Sequence, residues 1–210
     1  MRKLIFSLFS FCILLIASAF KSSDNVIPTK TIEGPVNWIS FEQAVAKAKK
    51  NPKPIMIDIY TSWCGPCKMM SSTTFGNAQI AKYLNEKYYC VKFDAETFDT
   101  IKVSLNSRDS VLNKDGKTKK LVETPRDFVF INPAPKGTPR SPHQFAASIL
   151  DNQLSYPSIV FLSPQIQRIN VIKGFHQPGQ FEPIMKYIGS GAWEKQKYDE
   201  YLKTFTTEFR

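Results

Sequence analysis

The stretch IMIDIYTSWCGPCKMM, residues 55–70, decides the fold of this chain. Its first six residues are almost continuously apolar and rich in isoleucine, which is typical of a strand buried on both faces of a sheet. Two cysteines, Cys64 and Cys67, follow with two residues between them. A pair with this spacing can be a redox-active dithiol, half of a zinc site or a small structural disulfide.

The segments on either side of this stretch predict an α/β unit. Ser40 and Gln43 have the spacing of a capping box, and the apolar residues after Ser40 recur at helical intervals. A second helix is expected to follow the cysteines and to break near residues 73–76, where Asn77 can cap the next helix. Residues 88–93 form another apolar run. A strand, a helix and a strand in this order predict two parallel strands with a right-handed crossover.

The second half of the chain predicts an insertion followed by further sheet. Short strands are expected at residues 100–105 and 127–131, and a structureless loop of this length is unusual in a compact domain. We therefore expect a hairpin insertion over residues 95–142. Beyond it come a helix near residues 143–150 and two strands with a short turn between them, which are expected to be antiparallel. The strands span residues 158–162 and 169–172, a further helix covers residues 181–188, and a C-terminal helix over residues 191–210 packs on the domain at residues 36–190.

The N-terminus has the pattern of a secretory signal peptide over residues 1–19. A basic start is followed by an apolar run from Leu4 to Ile16, and Ala17-Ser18-Ala19 then fits an A-x-A cleavage site. The alternative is an uncleaved anchor, but the apolar run is short for a span of about 20 residues. We expect a periplasmic or secreted protein with a flexible leader at residues 20–35.

Composition limits the function classes. The chain has 210 residues, 42% of them hydrophobic, which suits one domain with an insertion. Its formal charge of +10 could favour acidic partners. The lysines are scattered, however, and no base-stacking motif accompanies them, so we expect a solvated basic surface and no nucleic-acid binding.

The alternatives to a redox pair fit the remaining residues less well. A structural zinc site needs four ligands, and the mature chain offers only Cys90, His143 and His176 besides the pair, none of them spaced as a second pair. A haem attachment site would have histidine in place of Lys68. A structural disulfide across two intervening residues would constrain the unfolded chain little.

A redox pair explains more of the local sequence. Cys64 follows a strand and opens a helix, where the first unpaired N–H groups favour thiolate over thiol. Cys67 lies one turn later and can attack a mixed disulfide formed on Cys64. Gly65 and Pro66 suit the first helical turn, and Trp63 is expected to shield the sulfur from one side.

Residues 57–67, IDIYTSWCGPC, resemble the active-site segment of the thioredoxin superfamily. The opening WISFE at residues 38–42 and the break after the motif are similar to secreted thioredoxin-like proteins and to the C-terminal domain of DsbD-type reductases. The insertion resembles that of Bacteroidetes-type members. The resemblance implies an α/β thioredoxin-like fold, in which helices flank a central mixed β-sheet and the insertion precedes the cis-proline strand.

The resemblance also implies roles for individual residues. Cys64 matches the nucleophile, Cys67 the resolving cysteine, and Asp58 the buried carboxylate that carries the proton of the resolving thiol. An acid inside an apolar strand would be costly without a purpose. Lys92 resembles the lysine beside this acid, although a solvated lysine at a strand end fits as well. Cys90 has no catalytic counterpart and is expected to be a small buried hydrophobe.

A second set of residues is implied to face the substrate. Pro157 matches the cis-proline opposite the cysteines, and the backbone of Tyr156 would then pair with an extended substrate. Gly174 matches a glycine that lets the next strand pass close to the site. The expected substrate-binding set is Trp63, Gly65, Pro66, Tyr156, Pro157 and Gly174.

The expected function is thiol–disulfide exchange on proteins of the cell envelope, with reduction favoured over oxidation by the Gly-Pro between the cysteines. The expected partners are protein disulfide or dithiol substrates and a redox partner protein. We expect a monomer with no cofactor, no metal and no membrane insertion after signal cleavage. A disulfide isomerase and a non-enzymatic thioredoxin-fold binding module are the alternatives.

Overall fold

The computed structural model describes residues 35–208, apart from the side chains of residues 107–109, 111 and 112. The expected signal peptide and nearly all of the expected leader lie outside the described residues. No helix within residues 35–208 is long and apolar enough to cross a membrane.

Seven strands and six helices follow one another along the described chain. The strands are β1 (Trp38–Ile39), β2 (Ile55–Tyr60), β3 (Tyr89–Asp94), β4 (Ile101–Leu112), β5 (Lys119–Phe130), β6 (Ser158–Leu162) and β7 (Arg168–Lys173). The helices are α1 (Phe41–Lys50), α2 (Gly65–Thr73), α3 (Ala78–Lys87), α4 (Gln144–Ile149), α5 (Pro178–Gly189) and α6 (Tyr198–Thr204), with a 3-10 turn at Ala192–Glu194 before α6.

The central sheet has five strands in the order β1-β3-β2-β6-β7. The first three are mutually parallel, whereas β6 is antiparallel to both β2 and β7. This mixed sheet with flanking helices confirms the predicted fold class. The carboxyl ends of β2 and β3 and the amino end of β6 meet at one edge of the sheet, which we call the site edge.

Alternation along β2 separates the two halves of the core. Ile55, Ile57 and Ile59 face one side, where they join a cluster with α1, α4 and the base of the β4–β5 hairpin. Met56 faces the other side, in a cluster with residues of α2, α3 and α5. All four side chains are fully buried, which accounts for the nearly continuous apolar run.

The expected insertion contains a longer hairpin than the sequence indicated. The predicted short strands are the two ends of 12-residue strands β4 and β5, which pair along their whole length. Among the hairpin side chains that the structure describes, the fully buried ones are at the base, Ile101 and Val103, and Lys49 Nζ donates a hydrogen bond to Ser104 O at 2.7 Å. The apolar residues of the outer half occur as adjacent pairs and do not alternate with polar ones, so its strands could not be recognised from the sequence.

The C-terminal region also differs from the prediction of one helix over residues 191–210. Gly191, at φ 76°, starts a 3-10 turn, and a short helix α6 follows only from Tyr198. The tail after α6 is extended and contacts α5. Glu208 N donates to the buried carboxylate of Glu182 at 2.9 Å, and Lys186 bridges the carboxylates of Glu182 and Glu208 at 2.9 and 2.7 Å.

Candidate active site at the cysteine pair

Cys64 and Cys67 form a disulfide at the amino end of α2. Their Cα atoms lie 5.3 Å apart. Cys64 is the N-cap residue of the helix, and its Sγ accepts a hydrogen bond from Cys67 N at 3.1 Å. The helix N-terminus carries partial positive charge, so it stabilises a thiolate at the Cys64 position.

The local sequence explains why the pair lies at the site edge. The chain leaves β2 after Tyr60, and Cys64 N donates to Thr61 O at 3.2 Å in the turn that follows. Gly65 and Pro66 occupy the first two helical positions, where a missing N–H forfeits no hydrogen bond. The cysteines themselves are 3% and 5% exposed, so the residues around them form most of the surface at the pair; we call these residues the rim.

Asp58 is buried in β2 and lies on the face of the sheet that α2 covers. It is two residues from Met56 and therefore points to the same side. The residue is 2% exposed. Burial raises its pKa from 3.8 to about 7, and the positive charge of Lys92 partly offsets this rise. An acid with this pKa can both take up and release a proton near neutral pH.

Lys92 is the register partner of Asp58 on β3. Its Nζ donates to Ser71 Oγ of α2 at 2.7 Å. The ammonium group also lies 5.2 Å from the ring centroid of Tyr60 and 5.6 Å from that of Trp38. Contacts with two aromatic faces and a hydroxyl hold the cation beside the buried acid, whereas a solvated lysine would lack them.

Replacing Lys92 by methionine is expected to raise the pKa of Asp58 further above its usual range, because the one charge that lowers it is removed. An NMR titration of the Asp58 carboxyl carbon in the oxidised protein measures this. Lys53→Met is the matched control, since Lys53 also lies over an aromatic ring, that of Tyr89, but does not contribute to the Asp58 pKa. An unchanged or lower pKa in Lys92→Met would contradict the assignment.

The peptide bond between Tyr156 and Pro157 is cis, as the resemblance implied. Pro157 lies at the amino end of β6, beside the end of β2 from which the cysteine turn departs. Gly174 has φ 85°, and its N–H donates to Pro157 O at 2.8 Å. The structure therefore brings the cis-proline, Gly174 and the cysteine turn together at the site edge.

Trp63 directly precedes Cys64 and forms an exposed part of the rim around the cysteine pair. Its side chain is 51% exposed, and its ring meets that of Tyr156 edge-on at 6.1 Å. The indole Nε1 donates to both carboxylate oxygens of Glu96, at 3.1 and 3.0 Å. The guanidinium carbon of Arg140 lies 5.2 Å from the indole centroid.

Sequence reasoning missed both Glu96 and Arg140. They lie near the two ends of the expected insertion, 44 residues apart in the chain. In sequence they resemble any exposed charged residue of a loop. The available signal was their position in the fold. The chain enters the insertion after the carboxyl end of β3 and returns to the sheet at the amino end of β6, and both of these strand ends lie at the site edge.

Cys90 and His143 lie outside the turn that carries the cysteine pair. Cys90 is a free, buried thiol on β3, and burial raises its pKa well above the usual range. His143 is the N-cap of α4, where Nδ1 accepts from Phe145 N at 3.1 Å and Nε2 lies 2.9 Å from Asp99 O. Within residues 35–208 no three His, Cys, Asp or Glu side chains are grouped as a metal site.

Sequence comparisons agree with this geometry. A family model described as Thioredox_DsbH, Protein of unknown function, DUF255, matches residues 20–123, a segment that contains the cysteine pair. Spermatogenesis-associated protein 20 of Mus musculus is 41% identical over 63 residues, 30% of this chain and 8% of that protein. Thioredoxin-like protein slr0233 of Synechocystis is 35% identical over 51 residues, 24% of this chain. The chain thus covers less than half of either relative, 46% of the second.

Solved structures of low sequence identity include a thioredoxin from Thermus thermophilus. It is 13% identical, covers 78% of this chain and 98% of its own, and has a TM-score of 0.46. A structure of DsbH oxidoreductase is 14% identical over 83% of this chain and 96% of its own, with a TM-score of 0.45.

The family match and the sequence relatives support thiol–disulfide oxidoreductase chemistry in general. They coincide with a mixed sheet whose cysteine pair opens a helix opposite a cis-proline. The chain is thioredoxin-like in fold, and over residues 20–123 it matches the DsbH/DUF255 family model.

Proposed function

We propose that this protein is an exported thiol–disulfide oxidoreductase that reduces disulfides of partner proteins through Cys64 and Cys67. The observation that carries the proposal is the position of the pair at the amino end of α2, on the sheet face that also holds the buried Asp58. A structural disulfide would require neither the helix terminus nor a buried acid whose pKa is about 7.

The exchange begins with the reduced pair. The Cys64 thiolate attacks one sulfur of the partner's disulfide, which breaks the partner's S–S bond and forms a mixed disulfide with Cys64. The first partner sulfur leaves as a thiolate and takes up a proton. Cys67 then attacks Cys64 Sγ, and the second partner sulfur leaves. The partner gains two electrons, and the Cys64–Cys67 disulfide forms until a redox partner protein reduces it.

Asp58 is the proton carrier of the second step in this proposal. Cys67 attacks as a thiolate, so its proton must leave before the mixed disulfide is resolved. A buried carboxylate with a pKa of about 7 accepts that proton and returns one when the pair is reduced again. Lys92 acts by keeping the pKa of Asp58 from rising further.

The rim provides the surface for the partner. The backbone of Tyr156 would pair with an extended segment next to the partner's disulfide, beside the cis-proline. Trp63, Gly65 and Pro66 line the cysteine side of this surface, and Pro157 and Gly174 line the opposite side. Because the cysteines themselves are nearly buried, contacts at this rim would bring the partner sulfur into reach.

The preferred direction, reduction, rests on the Gly-Pro dipeptide between the cysteines, which resembles that of reducing thioredoxins. Dithiol couples in this class span about −270 to −120 mV, so both directions are chemically accessible. Export rests on the signal pattern at residues 1–19.

A trapping experiment tests partner, nucleophile and export together. The full chain with Cys67→Ala is expressed in cells that export it, and we expect mixed disulfides on Cys64 that persist because nothing resolves them. Mass spectrometry of the complexes after alkylation identifies the partner and shows whether residues 1–19 have been removed. Dithiothreitol should release the partner.

The control for trapping is the double variant Cys64→Ala/Cys67→Ala, which keeps only the buried Cys90 in the mature chain. We expect it to capture nothing. The same partners on the double variant, or no partner on the single variant, would overturn the assignment of Cys64 as the nucleophile.

A further inference from the structure

The two ends of the segment at residues 95–142 meet on one side chain of the active-site rim. Glu96, just after β3, accepts from the indole N–H of Trp63, and Arg140 lies over the face of the same ring. Trp63 directly precedes Cys64. The insertion therefore brings two opposite charges to the residue beside the nucleophile.

The loop that carries Arg140 is held firmly to the site edge. Asn132 Nδ2 donates to Ser141 O, and Ser141 Oγ donates to Asn132 Oδ1, both at 2.8 Å and both buried. His143 N donates to Ala95 O at 2.7 Å. These bonds tie the end of the loop to its beginning, so Arg140 projects from a fixed backbone.

The backbone at Arg140 is itself unusual. Its φ of 54° lies in the left-handed region, which is uncommon for residues other than glycine, asparagine and aspartate. Residues held in such conformations are concentrated at binding sites. The buried hydrogen bonds between Asn132 and Ser141 lie directly next to this conformation, and the side chain lies over Trp63.

The guanidinium group of Arg140 has unused donors. Its central carbon lies 5.2 Å from the indole centroid, and no hydrogen bond or ion pair joins the group to any other residue that the structure describes within 35–208. Its N–H groups therefore remain available, and their fork geometry matches a carboxylate. Arg140 is exposed, so an incoming partner can reach these donors.

We propose that Arg140 is a specificity residue that selects partners with a carboxylate beside the reactive cysteine. The inference rests on the proposed function, since it concerns which disulfides the Cys64 thiolate reaches. A partner whose sulfur reaches Cys64 must place its flanking residues along Trp63 and Tyr156, where a glutamate or aspartate would meet the Arg140 fork. Glu96 is fixed at the indole edge by its two contacts with Nε1, and its negative charge keeps the selected carboxylate on the Arg140 side of the ring.

Matched peptides test the selection. Cystine-linked peptides carry glutamate in turn at each of the four positions nearest the cysteine, and their twins carry glutamine. The reduced protein is expected to react with the best glutamate peptide about two to five times faster than with its twin, the range of an exposed ion pair. The preference should diminish as salt is raised.

Variants distinguish the effect of Arg140 on the glutamate preference from the effect of the protein's overall positive charge. Arg140→Gln should abolish the preference and Arg140→Glu should reverse it, while both still reduce the glutamine peptides. Lys136→Gln is the control, because it removes a positive charge from an exposed position of the same loop, and it should retain the preference.

The outcomes distinguish the two proposals. A wild-type protein that reduces no peptide would overturn the proposed function. A wild-type protein that reduces both twins equally at all four positions would overturn the Arg140 inference alone. The inference would also fail if Arg140→Gln kept the wild-type ratio, or if Lys136→Gln lost it to the same extent.

Discussion

Replacing Cys64 by serine is expected to abolish the dithiol-driven reduction of insulin, with a loss of roughly 10³-fold or more, as when a covalent nucleophile is removed. Serine is close to cysteine in size, so the N-cap position and the fold should be kept. Its hydroxyl is not ionised near neutral pH and cannot form the mixed disulfide. The turbidity of the precipitating insulin B chain, followed with dithiothreitol as the electron source, measures the rate.

Cys90→Ala is the control for the insulin experiment. Cys90 lies on β3 and is buried, so this variant should keep its activity once its folding has been verified by circular dichroism. A Cys64→Ser protein with substantial activity would contradict the proposed mechanism. A folded wild-type protein that leaves insulin intact and keeps its own bridge in dithiothreitol would favour the non-enzymatic binding module.

Replacing Asp58 by asparagine is expected to stabilise the oxidised protein at pH 8 but not at pH 4. The folded state raises the pKa of Asp58 from 3.8 to about 7, so between these values it binds the proton more tightly than the unfolded chain does. The free energy of unfolding therefore falls as pH rises through this range. Each pKa unit corresponds to about 1.4 kcal/mol, so the full loss is on the order of 4 kcal/mol. Asparagine does not ionise and avoids it.

Urea unfolding at pH 4 and pH 8 measures the Asp58 effect. The difference in unfolding free energy between Asp58→Asn and the wild type should increase between these pH values, up to the order of magnitude given above. Asp199→Asn, at an exposed position of α6, is the control and should show no comparable change with pH. A variant that is no more stable than the wild type at pH 8 would show that burial does not penalise the Asp58 carboxylate.

Asp58→Asn also has a kinetic consequence under the proposed function. The attack of Cys64 on the partner should be little affected, whereas resolution by Cys67 should slow because its proton acceptor is gone. Mixed disulfides should then accumulate with the Asp58 variant more than with wild type. Stability and catalysis are thus expected to change in opposite directions on the same substitution, as is common for buried acids kept at active sites.

Local patterns were sufficient to predict the central part of the fold. The apolar run of β2, the capping box of α1 and the cap at Asn77 are short-range signals, and the structure has each element within a few residues of its predicted position. The antiparallel pairing of β6 and β7 was also predicted correctly from their short turn. These signals can be recognised in the sequence because the spacing of apolar residues and the helix caps involve residues only a few positions apart.

Patterns of this kind failed where structure depended on distant contacts. The outer half of β5 has no fully buried residue, so alternation did not reveal the outer half of the hairpin. The C-terminal segment is helical only in part, because its tail extends along α5 to reach Glu182 and Lys186. That contact spans more than 20 residues of sequence, and nothing in the local pattern of the tail indicates it.

The sequence by itself determined which residues make up the candidate site: two cysteines at a helix start, an acid six residues earlier and a proline before a strand. These residues are recognisable because the turn, the helix terminus and the apolar strand that they require are local. Only the tertiary structure decided what surrounds them. The sheet order places Lys92 against Asp58, and the ends of the insertion bring Glu96 and Arg140 to Trp63. The proposed selectivity depends on this placement, because Glu96 and Arg140 come beside Cys64 only through the fold and not through their positions in the sequence.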